Sequence, residues 1–200
     1  MKNMKALYIA GLLLMLGVSG FAQEKYTIIN YPIGFGTGDT KTFIDETSFR
    51  GFGLEYGKFL ADDKVSIGFQ TNFQTFYKEL PKDTYPINNG AITGKQYRYM
   101  TSVPLLANGL YYPLGQETVI VPHVGLGLGT YYIDRKTDMG LFRDQSKTWH
   151  FGIAPQVGFS VPLNYKTNFN VNAQYNTAVK TKNHDAENWL TLSFGFKYIY

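Results

Sequence analysis

Few ionisable or nucleophilic side chains interrupt the alternation of apolar and polar residues that runs through this sequence. Glu55 and Lys197 occupy polar positions of two alternating stretches, and His123 and Ser160 occupy polar positions of two others. A serine within reach of a histidine that an acid orients can act as a hydrolytic nucleophile. His123 and Ser160, with Glu55 or Glu117 as the acid, are therefore the candidate catalytic set.

The placement of these residues favours a structural role over catalysis. His123 and His150 both point away from the apolar face by strand parity, but they lie near opposite ends of their strands, and His184 lies in a loop. That spacing suits no metal site, and the chain has no cysteine for thiolate chemistry. An enzyme acting on lipid would need a site open to lipid, whereas His123 and Ser160 face inward. We therefore predict no enzymatic activity, no metal and no cofactor.

Eight alternating stretches position these residues and predict the fold. Strand side chains point to the two faces of a sheet in turn. In the last stretch, one face carries Leu190, Leu192, Phe194, Phe196, Tyr198 and Tyr200, and the other carries Thr191, Ser193, Gly195, Lys197 and Ile199. The other stretches span residues 26–36, 49–60, 65–77, 97–110, 119–132, 149–161 and 168–177. Each reaches the roughly 9–11 residues that a tilted strand needs to cross a bilayer.

The connections between these stretches alternate in length, and no helix is predicted among them. Tight turns are predicted at 61–64, 113–117 and 164–168, and long polar loops at 37–48, 78–96, 134–148 and 178–188. Outer-membrane barrels have long extracellular loops and short periplasmic turns. The predicted fold is therefore all-β, an eight-stranded antiparallel up-and-down transmembrane β-barrel. Both termini would be periplasmic and the long loops extracellular.

The inward positions of such a barrel predict a polar network in its lumen. Eight strands leave an interior just wide enough for side chains to fill. Because a lone buried charge is costly, we expect Glu55 and Lys197 to pair or to join a network near the periplasmic end. A gate or proton path could use the same groups, but a structural polar plug is the favoured interpretation. The predicted network comprises Glu55, Lys197, Gln70, Asn72, Asn170, Asn172, Gln174 and Gln156.

Two further features concern the strand ends and the strand interiors. Aromatic residues near the strand ends predict two interfacial girdles. The loop-end girdle would comprise Tyr77, Tyr97, Tyr99, Tyr132 and Trp149, and the turn-end girdle Tyr56, Phe59, Phe159, Phe169, Tyr198 and Tyr200.

Pro32, Pro104 and Pro155 fall inside predicted strands, where each removes a ladder donor, so we expect bulges or boundary positions there.

The first 22 residues predict a secretory signal peptide. Lys2 and Lys5 precede an apolar run at 6–18, and the small residues that end at Ala22 match the positions that a signal peptidase reads. The run is shorter than the roughly 20 apolar residues of a spanning helix. Cleavage after Ala22 would leave residues 23–200 as one barrel domain. With 19 Lys and Arg against 15 Asp and Glu, two of those lysines in the signal, the remaining charges nearly balance and predict no nucleic-acid partner.

The predicted signal, strand count, alternating loop lengths and aromatic C-terminus together resemble the small outer-membrane barrels of the OmpA/OmpX type. Tyr97-Arg-Tyr-Met-Thr-Ser-Val-Pro-Leu-Leu106, followed by Tyr111-Tyr112-Pro113, resembles the strand–turn segment of PorT-like barrels. The terminal strand is similar to the signal that the barrel-assembly machinery recognises. The resemblance implies an integral outer-membrane protein of a Gram-negative bacterium. It implies no particular activity, because these families share an architecture and not one function.

Three functions are compatible with this fold. The favoured one is a structural or interaction role for a monomeric barrel: membrane integrity, surface contact, or support of an envelope or secretion complex. Its partners would be outer-membrane lipid, lipopolysaccharide and the assembly machinery. The alternatives are a small channel, which would require a conducting lumen, and a lipid-modifying enzyme, which would require a lipid-facing His/Ser/acid cluster.

Overall fold

The computed structural model describes residues 24–60, 63–87, 90–181 and 184–200, and the predicted signal peptide lies outside these ranges. Each strand pairs antiparallel with the next, and the first pairs with the last, so the sheet is a closed barrel. The predicted eight-stranded antiparallel barrel is confirmed. Its strands are β1 Lys25–Thr37, β2 Gly51–Phe59, β3 Val65–Ile87, β4 Gly90–Tyr111, β5 Val121–Met139, β6 Phe142–Pro162, β7 Thr167–Ala178 and β8 Glu187–Ile199.

The alternation of the sequence places apolar side chains outside the barrel and polar ones inside. In β8, Phe194 and Phe196 are exposed on the outer wall, whereas Ser193 and Lys197 are buried in the lumen. The other strands follow the same period of two. Phe69, at 72% exposure, shows how much apolar surface the outer wall presents. Such a wall requires an apolar environment.

Two of the predicted long loops are strands for most of their length, which corrects the sequence analysis. β3 and β4 remain paired up to Ile87 and Gly90, and β5 and β6 are joined by a short turn at Gly140, whose φ is 59°. Most side chains on both faces of these extensions are polar, so the regular alternation that marks the lower strands is absent. β2 stops pairing with β3 at Gln74, and β7 stops pairing with β6 at Ala178. The upper parts of β3 to β6 therefore form an open four-stranded sheet beyond the barrel wall, called here the open sheet.

The connection between β1 and β2 contains a short helix that the sequence did not predict. Helix α1 spans Gly38–Phe43, and Ile44 donates a backbone hydrogen bond to the Thr40 carbonyl, at 2.8 Å. Gly38 has a φ of 53°, which glycine adopts at little cost. Among the described residues, no helix has the length and apolar character needed to cross a membrane.

The in-strand prolines lie where ladders are interrupted or end. Pairing of β3 with β4 stops at Thr71 and resumes at Gln74, opposite Pro104. Pairing of β6 with β7 is interrupted in the same way next to Pro155, and Pro32 lies beyond the last β1–β2 pair. A missing donor is tolerated at such positions, as expected from the sequence.

Candidate functional site: the filled lumen

At the turn end of the lumen, three aromatic rings surround the ammonium group of Lys197. The Lys197 Nζ atom lies 4.5 Å from the ring centroid of Tyr26, 4.6 Å from that of Phe59 and 4.7 Å from that of Tyr112. It also donates a hydrogen bond to the Tyr112 hydroxyl at 3.2 Å, and the side chain is 1% exposed. The electron-rich ring faces stabilise a cation that water does not reach.

Glu55 belongs to the same cluster but forms no direct ion pair with Lys197. The Tyr26 hydroxyl donates to Glu55 Oε1 at 3.0 Å, while the ring of Tyr26 faces the Lys197 ammonium. Tyr26 therefore links the two charges that were expected to pair or to share a network. Phe59 is 1% exposed and lies in this cluster, so its assignment to the outer girdle was wrong. Phe59 lies four residues after Glu55 on β2, so both side chains point to the inward face of the strand.

Hydrogen bonds between amide side chains cross the middle of the lumen. Gln70 Nε2 donates to Gln174 Oε1 at 2.7 Å, and these residues lie on β3 and β7, four strands apart and therefore opposite each other. Gln174 donates to Asn176 at 2.9 Å, and Asn176 donates to Thr191 at 3.0 Å. Thr191 donates in turn to Gln74 Oε1 at 3.2 Å. This chain of bonds connects opposite walls of the lumen.

The remaining predicted network residues lie in the same interior, below this crossing. Asn172 donates to Gln156 Oε1 at 2.8 Å, and Ser160 donates to Asn170 Oδ1 at 2.9 Å. Asn72 is buried as well, but its Oδ1 atom has no hydrogen-bond partner within the described part of the chain. The structure therefore gathers the predicted residues in one lumen while dividing them into two clusters, one around Lys197 and one of amides.

The candidate catalytic set is not assembled. His123 lies opposite Gly158 in the β5–β6 ladder, and its ring packs 5.7 Å from the Tyr112 ring. The Ser160 hydroxyl is bonded to Asn170, and the Glu55 carboxylate to Tyr26. These contacts give each group a structural partner in place of a catalytic one.

A different serine and histidine meet at the loop end. Ser146 Oγ lies 3.2 Å from His184 Nδ1 beside a small cavity of about 20 Å³. The nearest buried acid, Glu187, is bonded to Arg135 at 2.6 Å and to Thr40 at 2.5 Å. No acid orients the histidine within the described ranges, and those ranges contain no group of three or more acidic or histidine side chains placed to hold a metal.

An apolar cluster fills the lumen above the amide crossing. The indole of Trp189 packs edge-on against Tyr131 at 5.5 Å and against Phe76 at 6.5 Å between ring centroids. Met100 and Ile44 are fully buried in the same cluster. Ile44 comes from the β1–β2 connection, so a loop residue packs into the upper lumen.

The mouth segment, residues 38–44, is held over this end by a polar network. Thr40 donates to Glu187 and accepts from the Asn188 backbone N–H at 3.0 Å. Arg135 pairs with Glu187 and lies 3.9 Å over the ring of Phe43, and Arg98 donates to the Phe43 carbonyl at 3.1 Å. Sequence reasoning missed this network, because it joins the β1–β2 connection to the loop ends of β4, β5 and β8, and no sequence pattern indicates such contacts.

A closed β-barrel with an apolar outer wall and a filled polar lumen is the architecture of a small membrane-spanning barrel. The sequence model of one family, the outer membrane protein beta-barrel domain, matches residues 9–199, and the chain belongs to that family. No curated protein matches the sequence.

Solved structures of outer-membrane proteins share the fold. Ail of Yersinia pestis, in complex with the heparin analogue sucrose octasulfate, is 14% identical, with a TM-score of 0.55 over 90% of this chain and 100% of its own. Neisserial surface protein A is 12% identical, with a TM-score of 0.53 over 88% of this chain and 96% of its own. Outer membrane protein W of E. coli is 17% identical, with a TM-score of 0.51 over 90% and 98%. Identities this low show a common fold and carry no information about ligands.

Proposed function

We propose that this protein is a monomeric, non-conducting and non-enzymatic outer-membrane barrel with a structural or interaction role. The observation that carries the proposal is the Gln70–Gln174 hydrogen bond, which joins opposite walls of the lumen at 2.7 Å. It lies between the aromatic cluster around Lys197 and the cluster around Trp189. A lumen filled at three levels serves the rigidity of the wall better than transport.

The interaction surface is the open sheet. Its two outer strands, the upper part of β3 and residues 142–149 of β6, pair with β4 and β5 on one side and have no ladder partner among the described strands on the other. Asp138 accepts hydrogen bonds from Lys136 and Arg143, both at 2.7 Å. Partial burial raises the pKa of the Asp138 carboxyl. Lys136 and Arg143 together lower this pKa by more than burial raises it, so the pKa stays below its usual range. A charged, hydrogen-bonded hairpin of this kind presents a fixed surface beyond the membrane.

The proposal includes an orientation of the barrel in the membrane. Short connections and both termini share one end of the barrel, which fits the periplasmic side, while the open sheet and the mouth segment would be extracellular. The terminal strand β8, with alternating outward aromatics, would be recognised by the assembly machinery. Lipid and lipopolysaccharide would surround the outer wall. The PorT-like segment in β4 stays a prediction that would connect the protein to a secretion complex.

The exposed tip of the β5–β6 hairpin provides the test of surface contact. Leu141 stands fully exposed there, and Leu114, 62% exposed, is its counterpart at the opposite end of the barrel. We expect Leu141→Asp, combined with Phe142→Asp, to abolish crosslinked complexes in intact outer membranes. Leu114→Asp should leave those complexes unchanged. If the complexes survive both the tip substitutions and removal of residues 137–144, the open sheet is not the contact surface.

A further inference from the structure

The outer wall carries an apolar groove on strands β2 to β5. Its volume is about 470 Å³. Small side chains, Thr71 and Ala107, form the floor, because larger outward residues stand on both sides of them. The groove is therefore a concave apolar site on the outer wall. The larger lining side chains are Leu54, Tyr56, Phe69, Leu105 and Leu128.

Strand register fixes the height of this groove below the loop end. Leu54 pairs with Thr71, and Arg50 lies four residues before Leu54, just beyond the loop end of β2. Tyr77 lies six residues beyond Thr71 on β3. At about 3.3 Å per residue, these steps are roughly 13 and 20 Å along the strand. With the usual barrel tilt they span about half of the roughly 30 Å hydrocarbon core, so the groove lies near the midplane and Arg50 near the headgroups.

Arg50 is a free cation at that interface. Its guanidinium carbon lies 5.0 Å from the ring centroid of Tyr77, and the side chain is exposed. Neighbouring lysines are neutralised: Lys78 pairs with Asp45 at 2.5 Å, and Lys136 with Asp138 at 2.7 Å. No carboxylate of the described residues forms an ion pair with Arg50. A stacked arginine of this kind is suited to a phosphate, which it can bind through two N–H groups.

We propose that the groove and Arg50 together bind one lipid whose phosphate headgroup carries a net negative charge, from the leaflet at the loop end. An acyl chain fills the concave apolar surface, and the headgroup phosphate pairs with Arg50, within reach of the Tyr77 hydroxyl. The inference rests on the proposed seating in the membrane and not on the open sheet as a contact surface. Its failure would therefore leave the result of the hairpin-tip experiment untouched.

Lipid retention by the folded protein tests this site. The full barrel is placed in nanodiscs of phosphatidylglycerol and phosphatidylcholine with identical acyl chains, and the retained lipid is counted by native mass spectrometry. We expect one phosphatidylglycerol to be retained in several-fold excess over phosphatidylcholine. Arg50→Gln should remove this preference, and Ala107→Phe, which fills the groove, should lower retention of both lipids several-fold.

Matched controls separate the site from general lipid contact. Lys147→Gln changes another exposed cation of the loop end, and Ala173→Phe adds a ring to the outer wall at β7. Both should behave as the wild type. Thr71→Leu gives a second filled groove should Ala107→Phe not fold, as judged by heat-dependent gel migration. Equal retention of the two lipids by the wild type, or the same loss in the controls, would overturn the proposal.

Discussion

At the residue scale, the charge of Lys197 is stabilised by rings and hydroxyls in place of a carboxylate. Lys197→Met keeps the chain length but leaves Glu55 buried with no cation in its cluster. Loss of one member of a buried charged group costs about 3–5 kcal/mol, whereas replacing the whole group is often neutral. We expect Lys197→Met alone to destabilise the barrel by this amount and the double variant Glu55→Gln/Lys197→Met to lie within about 1 kcal/mol of the wild type. Urea unfolding in lipid vesicles measures both, and strictly additive effects would show that the two charges are not coupled.

The outer wall of β8 allows a test of depth in the membrane with one kind of substitution. Phe194 lies in the middle of the strand, and Tyr198 lies near its turn end on the same face. An arginine costs about 2–4 kcal/mol at the bilayer midplane and about 0–1 near the interface. We therefore expect Phe194→Arg to lower the free energy of unfolding much more than Tyr198→Arg. Equal costs in vesicle refolding would contradict the assignment of this face to lipid.

Single residues also show what the sequence could and could not reveal. Alternation was sufficient to place Gln70, Gln174 and Lys197 inside, because inward polarity follows strand parity. It could not reveal that Gln70 meets Gln174, since that contact depends on the shear and closure of the barrel. The error at Phe59 arose from giving weight to an aromatic near a strand end while its parity was inward.

At the element scale, the mouth segment depends on the hydroxyl of Thr40. That hydroxyl donates to Glu187 and accepts from the Asn188 N–H, whereas the Thr42 hydroxyl bonds only to the Gly38 carbonyl of its own helix, at 3.3 Å. Removing the buried partner costs about 1–2 kcal/mol, which is roughly a 5–30-fold change in an opening equilibrium. We expect Thr40→Val to accelerate amide exchange at Ile44 by this factor, with heat-dependent migration unchanged. Thr42→Val is the control, and equal acceleration by the two variants would contradict the role of Thr40.

The elements differ in how far the sequence predicted them, for a physical reason. Where one face of a strand meets an apolar medium and the other a polar lumen, apolar and polar residues must alternate. These parts of the strands were therefore predicted from the sequence. Beyond the wall most side chains on both faces of β3 to β6 are exposed or half-buried, so residues 78–87 and 142–148 carry no regular alternation and were predicted as loops. Helix α1 spans six residues and Thr37 makes no side-chain cap bond, so the usual helix signals are absent.

At the scale of the whole molecule, closure of the sheet follows from the composition of its two faces. If the eight strands did not close into a barrel, two edge strands would lie in hydrocarbon, where unpaired backbone groups cost several kcal/mol each. Pairing of β1 with β8 removes both edges. Closure with eight strands then fixes the width of the lumen, and that width makes the inward amides meet.

Conduction depends on three closures that lie in series along the lumen. The cluster around Lys197 fills the turn end, the Gln70–Gln174 bond crosses the middle, and the cluster around Trp189 fills the loop end below the mouth segment. Because current must pass every level, removing one closure leaves the others in place. We expect planar-bilayer recordings of the wild type, of Lys197→Ala and of Gln70→Ala/Gln174→Ala to show no steady nanosiemens-scale openings.

A variant combining these three substitutions with Trp189→Ala is the matched test of the series arrangement and should be the first to pass current. Reproducible, ion-selective conductance of the wild type that changes with Lys197→Ala alone would contradict the closed lumen and favour a channel.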